Sequence, residues 1–98
     1  MYYCYVLRCA DGTLYTGVTT DVPRRVEQHN GGKGARYTAA RRPVRLMWKE
    51  EHVDRSSAQR REAAIKSWSR SRKEALIVGD ERGRTGTNGD RLKSVPTD

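Results

Sequence analysis

A chain of 98 residues has room for a single core, and 20 Lys+Arg against 12 Asp+Glu leave it a net charge of +8, which excludes a large multidomain enzyme and favours a polyanionic partner. No apolar run approaches the ~18 residues of a membrane span and no signal peptide opens the chain, so a cytoplasmic protein with no membrane partner is expected. From Gly79 to Asp98 there are four glycines, one proline and no aromatic residue, with four basic residues balanced by four acidic ones. That stretch predicts a disordered tail and leaves the whole charge on a folded domain at residues 1–78.

Residues 2–8, YYCYVLR, are rich in aromatic and β-branched types and predict a strand; residues 13–19, TLYTGVT, predict a second. Cys9-Ala10-Asp11-Gly12 between them is a turn signal, so the pair forms a hairpin. A two-residue Asp11-Gly12 turn would put Tyr5 and Tyr15 on opposite faces. A three-residue Ala10-Asp11-Gly12 loop with Gly12 left-handed pairs Leu7 with Tyr15 and Tyr5 with Gly17. The two tyrosines then share a face as diagonal neighbours, and this register is the expected one. Cys4 and Cys9 lie too far apart along one extended strand for a disulfide. Without histidine partners they read as small buried hydrophobes in a reducing compartment.

Asp21 is placed to cap a helix with Pro23 in its first turn, running to about His29 and stopped by Gly31-Gly32. Val22 and Val26 supply its buried stripe; Arg25 and His29, four apart, form a neighbouring stripe facing elsewhere. Residues 30–43 read as a long basic loop. Residues 44–50 alternate, with Val44, Leu46 and Trp48 on one face of a third strand. Ser56-x-x-Gln59 and Ser71-x-x-Glu74 have capping-box spacing and open helices at about 57–68 and 71–78. The order is ββαβαα, an α+β fold in which helices pack on a three-stranded sheet.

Tyr5 and Tyr15 on adjacent strands, Arg25 and His29 on one helical face, and Glu62 on a later helix form an ordered set that resembles the GIY-YIG nuclease domain. That family is named for two tripeptides on a hairpin. The first slot holds Cys4-Tyr5-Val6 or, by the tyrosine register, Tyr3-Cys4-Tyr5; the second holds Tyr15-Thr16-Gly17. The family arginine matches Arg25 in Arg24-Arg25-Val26-Glu27-Gln28-His29-Asn30, and its glutamate matches Glu62 in Arg60-Arg61-Glu62-Ala63-Ala64-Ile65-Lys66. The stretches ADGTLYTG, Arg-Arg…His-Asn and Tyr-Thr…Arg-Pro-Val are similar to those of small stand-alone bacterial members. Neither glycine nor isoleucine precedes Tyr5, a departure that touches the backbone beside the site more than its reactive groups.

The resemblance implies phosphodiester hydrolysis of DNA, in branched, damaged or single-stranded form and with little sequence readout. Glu62 would bind one Mg2+ or Mn2+, a hard cation that accepts a single carboxylate plus waters and phosphate oxygens. Arg25 would hold the scissile phosphate through its planar fork of donors. One tyrosine would be the base, and which one is left open; His29 is an alternative base or a phosphate ligand. Each residue has a plainer reading. The tyrosines could be ordinary strand aromatics, Arg25 a solvated charge, His29 a helix C-terminal cation, and Glu62 the partner of Lys66 in a helix salt bridge.

Arg24, Lys33, Arg36, Arg41, Arg42 and Lys66 would meet backbone phosphates, and Tyr37 would stack on a base or pack down as an anchor. Family members often borrow specificity from added domains, so a protein partner that supplies it is a further expectation. The competing functions are a non-catalytic nucleic-acid-binding module of the same fold and a basic protein–protein adaptor.

Overall fold

The structure, a computed structural model, describes residues 1–79; the tail expected over residues 79–98 lies outside them from Asp80 on. Two compact units divide the chain, Met1–Lys66 and the part that begins at Ser67. In the first, β1 (Tyr2–Arg8) and β2 (Leu14–Thr19) form the hairpin, followed by α1 (Val22–Asn30), α2 (Arg36–Ala39), β3 (Arg45–His52) and α3 (Arg55–Lys66). The second contributes α4 (Arg70–Ile77). The sheet is antiparallel in the order β2-β1-β3, so β1 is the central strand. The fold is α+β as expected, with one short helix, α2, inside what reads from sequence as an irregular loop.

The hairpin adopts the three-residue loop. Leu7 pairs with Tyr15 and Tyr5 with Gly17, and Gly12 closes the turn at φ 87°, a left-handed value that glycine takes without cost. The alternation of β1 then sorts the core. Tyr5 and Leu7 pack with Cys9 and Val44, and Tyr15 and Val26 lie against them. Cys4 and Val6 point to the opposite face, where α3 lies across all three strands and buries Ala58 and Ile65 completely. Both cysteines are free and buried. Burial and the nearby carboxylates of α3 and β3 outweigh Arg61 and Lys66, pushing the Cys4 thiol up to about 12 and leaving it unreactive.

Three local expectations give way to competing interactions. β3 does not keep Val44, Leu46 and Trp48 on one face: Trp48 pairs with Val6 but Leu46 with Leu7, so Met47 is an extra, bulged residue. Leu46 and Trp48 therefore face opposite ways, and Leu46 is exposed. Helix α3 starts from Asp54, whose carboxylate accepts from the Ser57 amide at 2.8 Å, while Ser56 instead accepts from the Arg60 guanidinium. Helix α4 is capped by Ser69, which accepts from the Arg72 amide, and not by Ser71. An acceptor two residues upstream wins in both cases, which spacing alone does not rank.

Candidate active site

The hairpin register sets the two tyrosines beside each other, their ring centroids 6.5 Å apart. Tyr5 reaches across the neighbouring strand, and a Cβ on Gly17 would stand 2.6 Å from its hydroxyl. Only glycine at position 17 lets that ring lie where it does.

Helix α1 supplies the next two groups. Asp21 caps it by accepting from the Arg24 amide, and Pro23 stands in its first turn. Its buried stripe runs through Val22, Val26 and His29, so His29 faces the sheet with the valines and is fully buried. The expectation that His29 and Arg25 form a stripe beside the valines and facing elsewhere is thus corrected for His29: only one turn separates it from Arg25, but the seventh residue after Val22 returns to the core face. The chain doubles back at Gly34 so tightly that a Cβ there would stand 2.8 Å from the His29 Cα and run into its ring.

The hydrogen bonds of His29 define its tautomer. Thr38 donates its hydroxyl proton to the Ala35 carbonyl at 3.1 Å, so toward His29 it can only accept, and Nδ1–H donates to it at 2.7 Å. That leaves Nε2 as an acceptor for the Tyr5 hydroxyl, 2.9 Å away. The result is a one-way series, Tyr5 to His29 to Thr38 to a backbone carbonyl. Burial, and then the Arg25 charge, hold His29 below its ordinary pKa, which keeps the ring neutral as the series requires. Burial raises Tyr5; a hydrogen bond from Arg25 opposes it, and the Tyr15 and Glu62 charges add to it.

Arg25 is half-buried. It donates to the Gln28 amide oxygen at 3.0 Å and to the Gly34 carbonyl at 2.8 Å, which fixes its fork beside Tyr5. Glu62 lies on the sheet-facing stripe of α3 between Ala58 and Ile65, one turn from each, so it is no solvated outer charge. Its carboxylate also meets Lys66 at 3.1 Å, so the ordinary helix pair exists in the same residue that reaches Tyr5 electrostatically. Two phenols, a guanidinium and an imidazole are thereby brought together from the hairpin and α1; Glu62 comes from α3, on the Cys4 and Val6 side of the sheet, and its charge raises both Cys4 and Tyr5. Among the described residues no group of three or more His, Cys, Asp or Glu could hold a metal. A single carboxylate still suits a hard cation that keeps most of its waters.

The basic residues divide. Arg41 is bound to Asp11 at 3.1 Å and to the Tyr37 carbonyl at 2.9 Å, with its guanidinium 3.9 Å from the Tyr37 ring centroid. Arg42 donates to the Ala39 and Asn30 carbonyls. Tyr37 stacks on Tyr15 at 6.1 Å and keeps 38% of its surface exposed. Lys33 and Arg36 are exposed, and Lys66 is engaged by Glu62. Arg24 and Arg25 instead line an open groove of about 610 Å³ with Tyr2, Thr19, Arg55 and Gln59. Sequence reasoning passed over Thr38, Arg55 and Gln59. Thr38 follows Tyr37 in the Tyr-Thr stretch already singled out, which was its available signal; nothing local marked Arg55, and Gln59 was read only as the end of a capping box.

The GIY-YIG catalytic domain family matches residues 1–75. A UPF0213 protein of Desulfotalea psychrophila is 52% identical over 83 residues, covering 84% of this chain and 76% of its own. Another, from the archaeon Halobacterium salinarum, is 55% identical over 77 residues, 79% of this chain and the whole of its own. Two solution NMR structures are similar. The UPF0213 protein BH0048 of Bacillus halodurans has a TM-score of 0.52 at 46% identity, over 80% of this chain and 84% of its own. The protein EF2693 of E. faecalis has a TM-score of 0.56 at 44% identity, over 82% and 85%. No helix among the described residues is long and apolar enough to cross a membrane.

Proposed function

The chain belongs to the GIY-YIG family, a family of nucleases, and on that footing we propose that it hydrolyses DNA phosphodiesters with a divalent metal and little sequence readout. The observation that carries this reading is the directed series Tyr5–His29–Thr38, closed by the Ala35 carbonyl. A buried polar series of this kind gains little stability over apolar packing, yet it is what a proton-accepting phenol needs. The Tyr5 oxygen takes a proton from the attacking water as its own proton passes to Nε2 of His29. The imidazolium so formed keeps its Nδ1–H bond to Thr38. Hydroxide adds to phosphorus and the bond to the leaving alkoxide breaks, with solvent supplying the alkoxide its proton. Tyr5 is the base because its hydroxyl, and not that of Tyr15, contacts the His29 nitrogen; Tyr15 buttresses the ring edge-on at 5.1 Å.

Arg25 holds the scissile phosphate with the donors it does not spend on Gln28 and Gly34. Glu62 would hold Mg2+ or Mn2+, which would supply charge stabilisation at the phosphoryl oxygens. Release of Glu62 from Lys66 frees the carboxylate for the ion and Lys66 for a backbone phosphate.

The test is cleavage of plasmid and branched DNA with Mg2+ or Mn2+ by the wild type, Glu62→Ala and His29→Ala. Glu62→Ala is expected to lose about a hundredfold or more in rate while it still binds. The existing Glu62–Lys66 pair favours a second reading, a binding module without turnover. Binding without cleavage across substrates and metals would establish that module and end the nuclease reading. Affinity indifferent to salt would end both and leave the adaptor.

A further inference from the structure

The groove beside Arg25 is not needed for the chemistry above; on its wall Thr19 and Asp21 shape the start of α1 and Gln28 holds Arg25, which leaves Arg24 and Arg55 without a structural role. Arg24 and Arg55 come from the first turns of α1 and α3, two helices from distant parts of the chain, and both point into one space. Neither is held in an ion pair or a side-chain hydrogen bond among the described residues, unlike Arg41, Arg61, Lys66 and Arg70, which face carboxylates. Three guanidinium groups, of Arg24, Arg25 and Arg55, converge there against one carboxylate, an excess of like charge that costs stability and marks a place where an anion belongs. Asp21 is the sole acid on the wall, and one of its carboxylate oxygens accepts from the Arg24 amide as the cap of α1, so a single negative charge stands against three positive ones. The remaining wall consists largely of hydroxyls and amides, from Thr19, Thr20, Gln28 and Gln59. The Arg55 guanidinium stands 5.6 Å from the Tyr2 ring centroid, which gives the floor an aromatic face.

We propose that this groove is a second phosphate-binding subsite, which holds one nucleic-acid strand at a phosphate flanking the one on Arg25, with Arg55 and Arg24 as its clamp. The proposal rests on the nuclease reading and extends it to residues outside the reacting centre. At about 610 Å³ the groove accommodates a nucleotide or two of one strand and no duplex. Arg25 belongs to both spaces, so the strand runs from the reacting centre directly into the subsite. The groove recognises backbone, because its charges are guanidinium forks suited to phosphate oxygens. The Tyr2–Arg55 pair adds a surface on which any base can lie, a sequence-tolerant contribution.

The test separates binding from cleavage by working without metal, in chelator. Affinities of the full chain are measured by fluorescence anisotropy for a set of short single-stranded oligonucleotides, each with one phosphate replaced by an uncharged methylphosphonate. In the wild type two positions are expected to lose affinity severalfold. In Arg55→Ala the penalty at one of them disappears while the other persists, and the slope of log affinity on log salt becomes shallower by about 0.7, the share of a single neutralised phosphate on one strand. Arg24→Ala should act on the same position. Arg60→Ala, an exposed arginine outside the groove, serves as the control and should leave the pattern and the slope as they were. A uniform loss at every position in Arg55→Ala, or identical behaviour of Arg55→Ala and Arg60→Ala, would overturn the subsite. Neither outcome would touch the nuclease reading, which stands or falls on the Glu62→Ala cleavage assay.

Discussion

In the loop after α1, Arg41 is bound to Asp11 and to the Tyr37 carbonyl, Arg42 to two more carbonyls, and Gly34 and Thr38 to Arg25 and His29. At the opposite end of the same helix, Arg24 and Arg55 hold no ion pair among the described residues and face an open groove. Both regions contribute to the same net charge, and from sequence the loop is the richer in cations. Of its basic residues Arg41 and Arg42 are spent on the fold while Lys33 and Arg36 stay exposed, and Gly34 and Thr38 make the loop a back wall that braces Arg25 and His29 from behind. Charge becomes a binding surface where its donors are left unspent, and counting lysines and arginines does not reveal which those are.

The contrast can be broken experimentally, most forcefully at the back wall. Gly34→Ala drives a methyl group into the His29 ring and backbone and should cost about 1–3 kcal/mol of stability by overpacking. It also shifts the carbonyl that fixes Arg25, so cleavage should fall more than stability does. Chemical denaturation alongside the rate assay checks this, and an unchanged rate would mean that the wall does not position the site.

Thr38→Val keeps the shape but leaves the Nδ1–H of a buried imidazole without an acceptor, which should cost about 1–3 kcal/mol. The same histidine sets a pH dependence. Folding holds it below its ordinary 6.5, so under acid the unfolded chain takes up the proton first. Stability is therefore full above about 6.5 and declines as pH falls toward the folded-state value. Melting temperatures of the wild type and His29→Gln between pH 5 and 8 should show this slope only in the wild type. Activity should share the acid limb, because a protonated Nε2 cannot accept from Tyr5.

Arg41→Ala should lower the melting temperature by a few degrees and leave DNA affinity intact, because the residue is committed to Asp11 and Tyr37. The Asp11 carboxyl, held below its ordinary range first by Thr13 and then by Arg41, keeps part of that support. The smallest stability change belongs to Arg55→Ala, within about ±0.5 kcal/mol. If Arg41→Ala were the variant to lose affinity, the two regions would exchange roles.

The hairpin register was legible because it turned on one local choice, whether Asp11-Gly12 or Ala10-Asp11-Gly12 closes the turn, and strand alternation carried the answer to Tyr5 and Tyr15. Asp21 and the Gly31 stop were legible for the same reason. His29 was misplaced because a helix face is assigned relative to neighbours that local sequence does not contain. The imidazole is polar by type, and only Tyr5 from 24 residues earlier and Thr38 from 9 residues later make its burial tolerable. The Arg41–Asp11 pair spans 30 residues and the Arg24–Arg55 convergence joins two helices; neither leaves a periodicity to read. The bulge at Met47 is likewise a property of the pairing with β1 and not of β3 alone.

Asn30 holds the corner where α1 ends and β3 begins. Its side chain accepts from the Val44 amide at 2.7 Å and donates to the Val44 carbonyl at 3.1 Å, standing in for a strand partner. Asn30 is followed by Gly31, the dipeptide most prone to spontaneous deamidation, which proceeds by attack of the following backbone nitrogen on the side-chain amide. Here that nitrogen is committed to the Glu27 and Gln28 carbonyls, and the amide under threat is clasped at both its oxygen and its nitrogen. The fold thus shelters a link that its sequence makes chemically weak, and the age of a sample, read as aspartate accumulating at position 30, becomes a record of how often this corner has come undone.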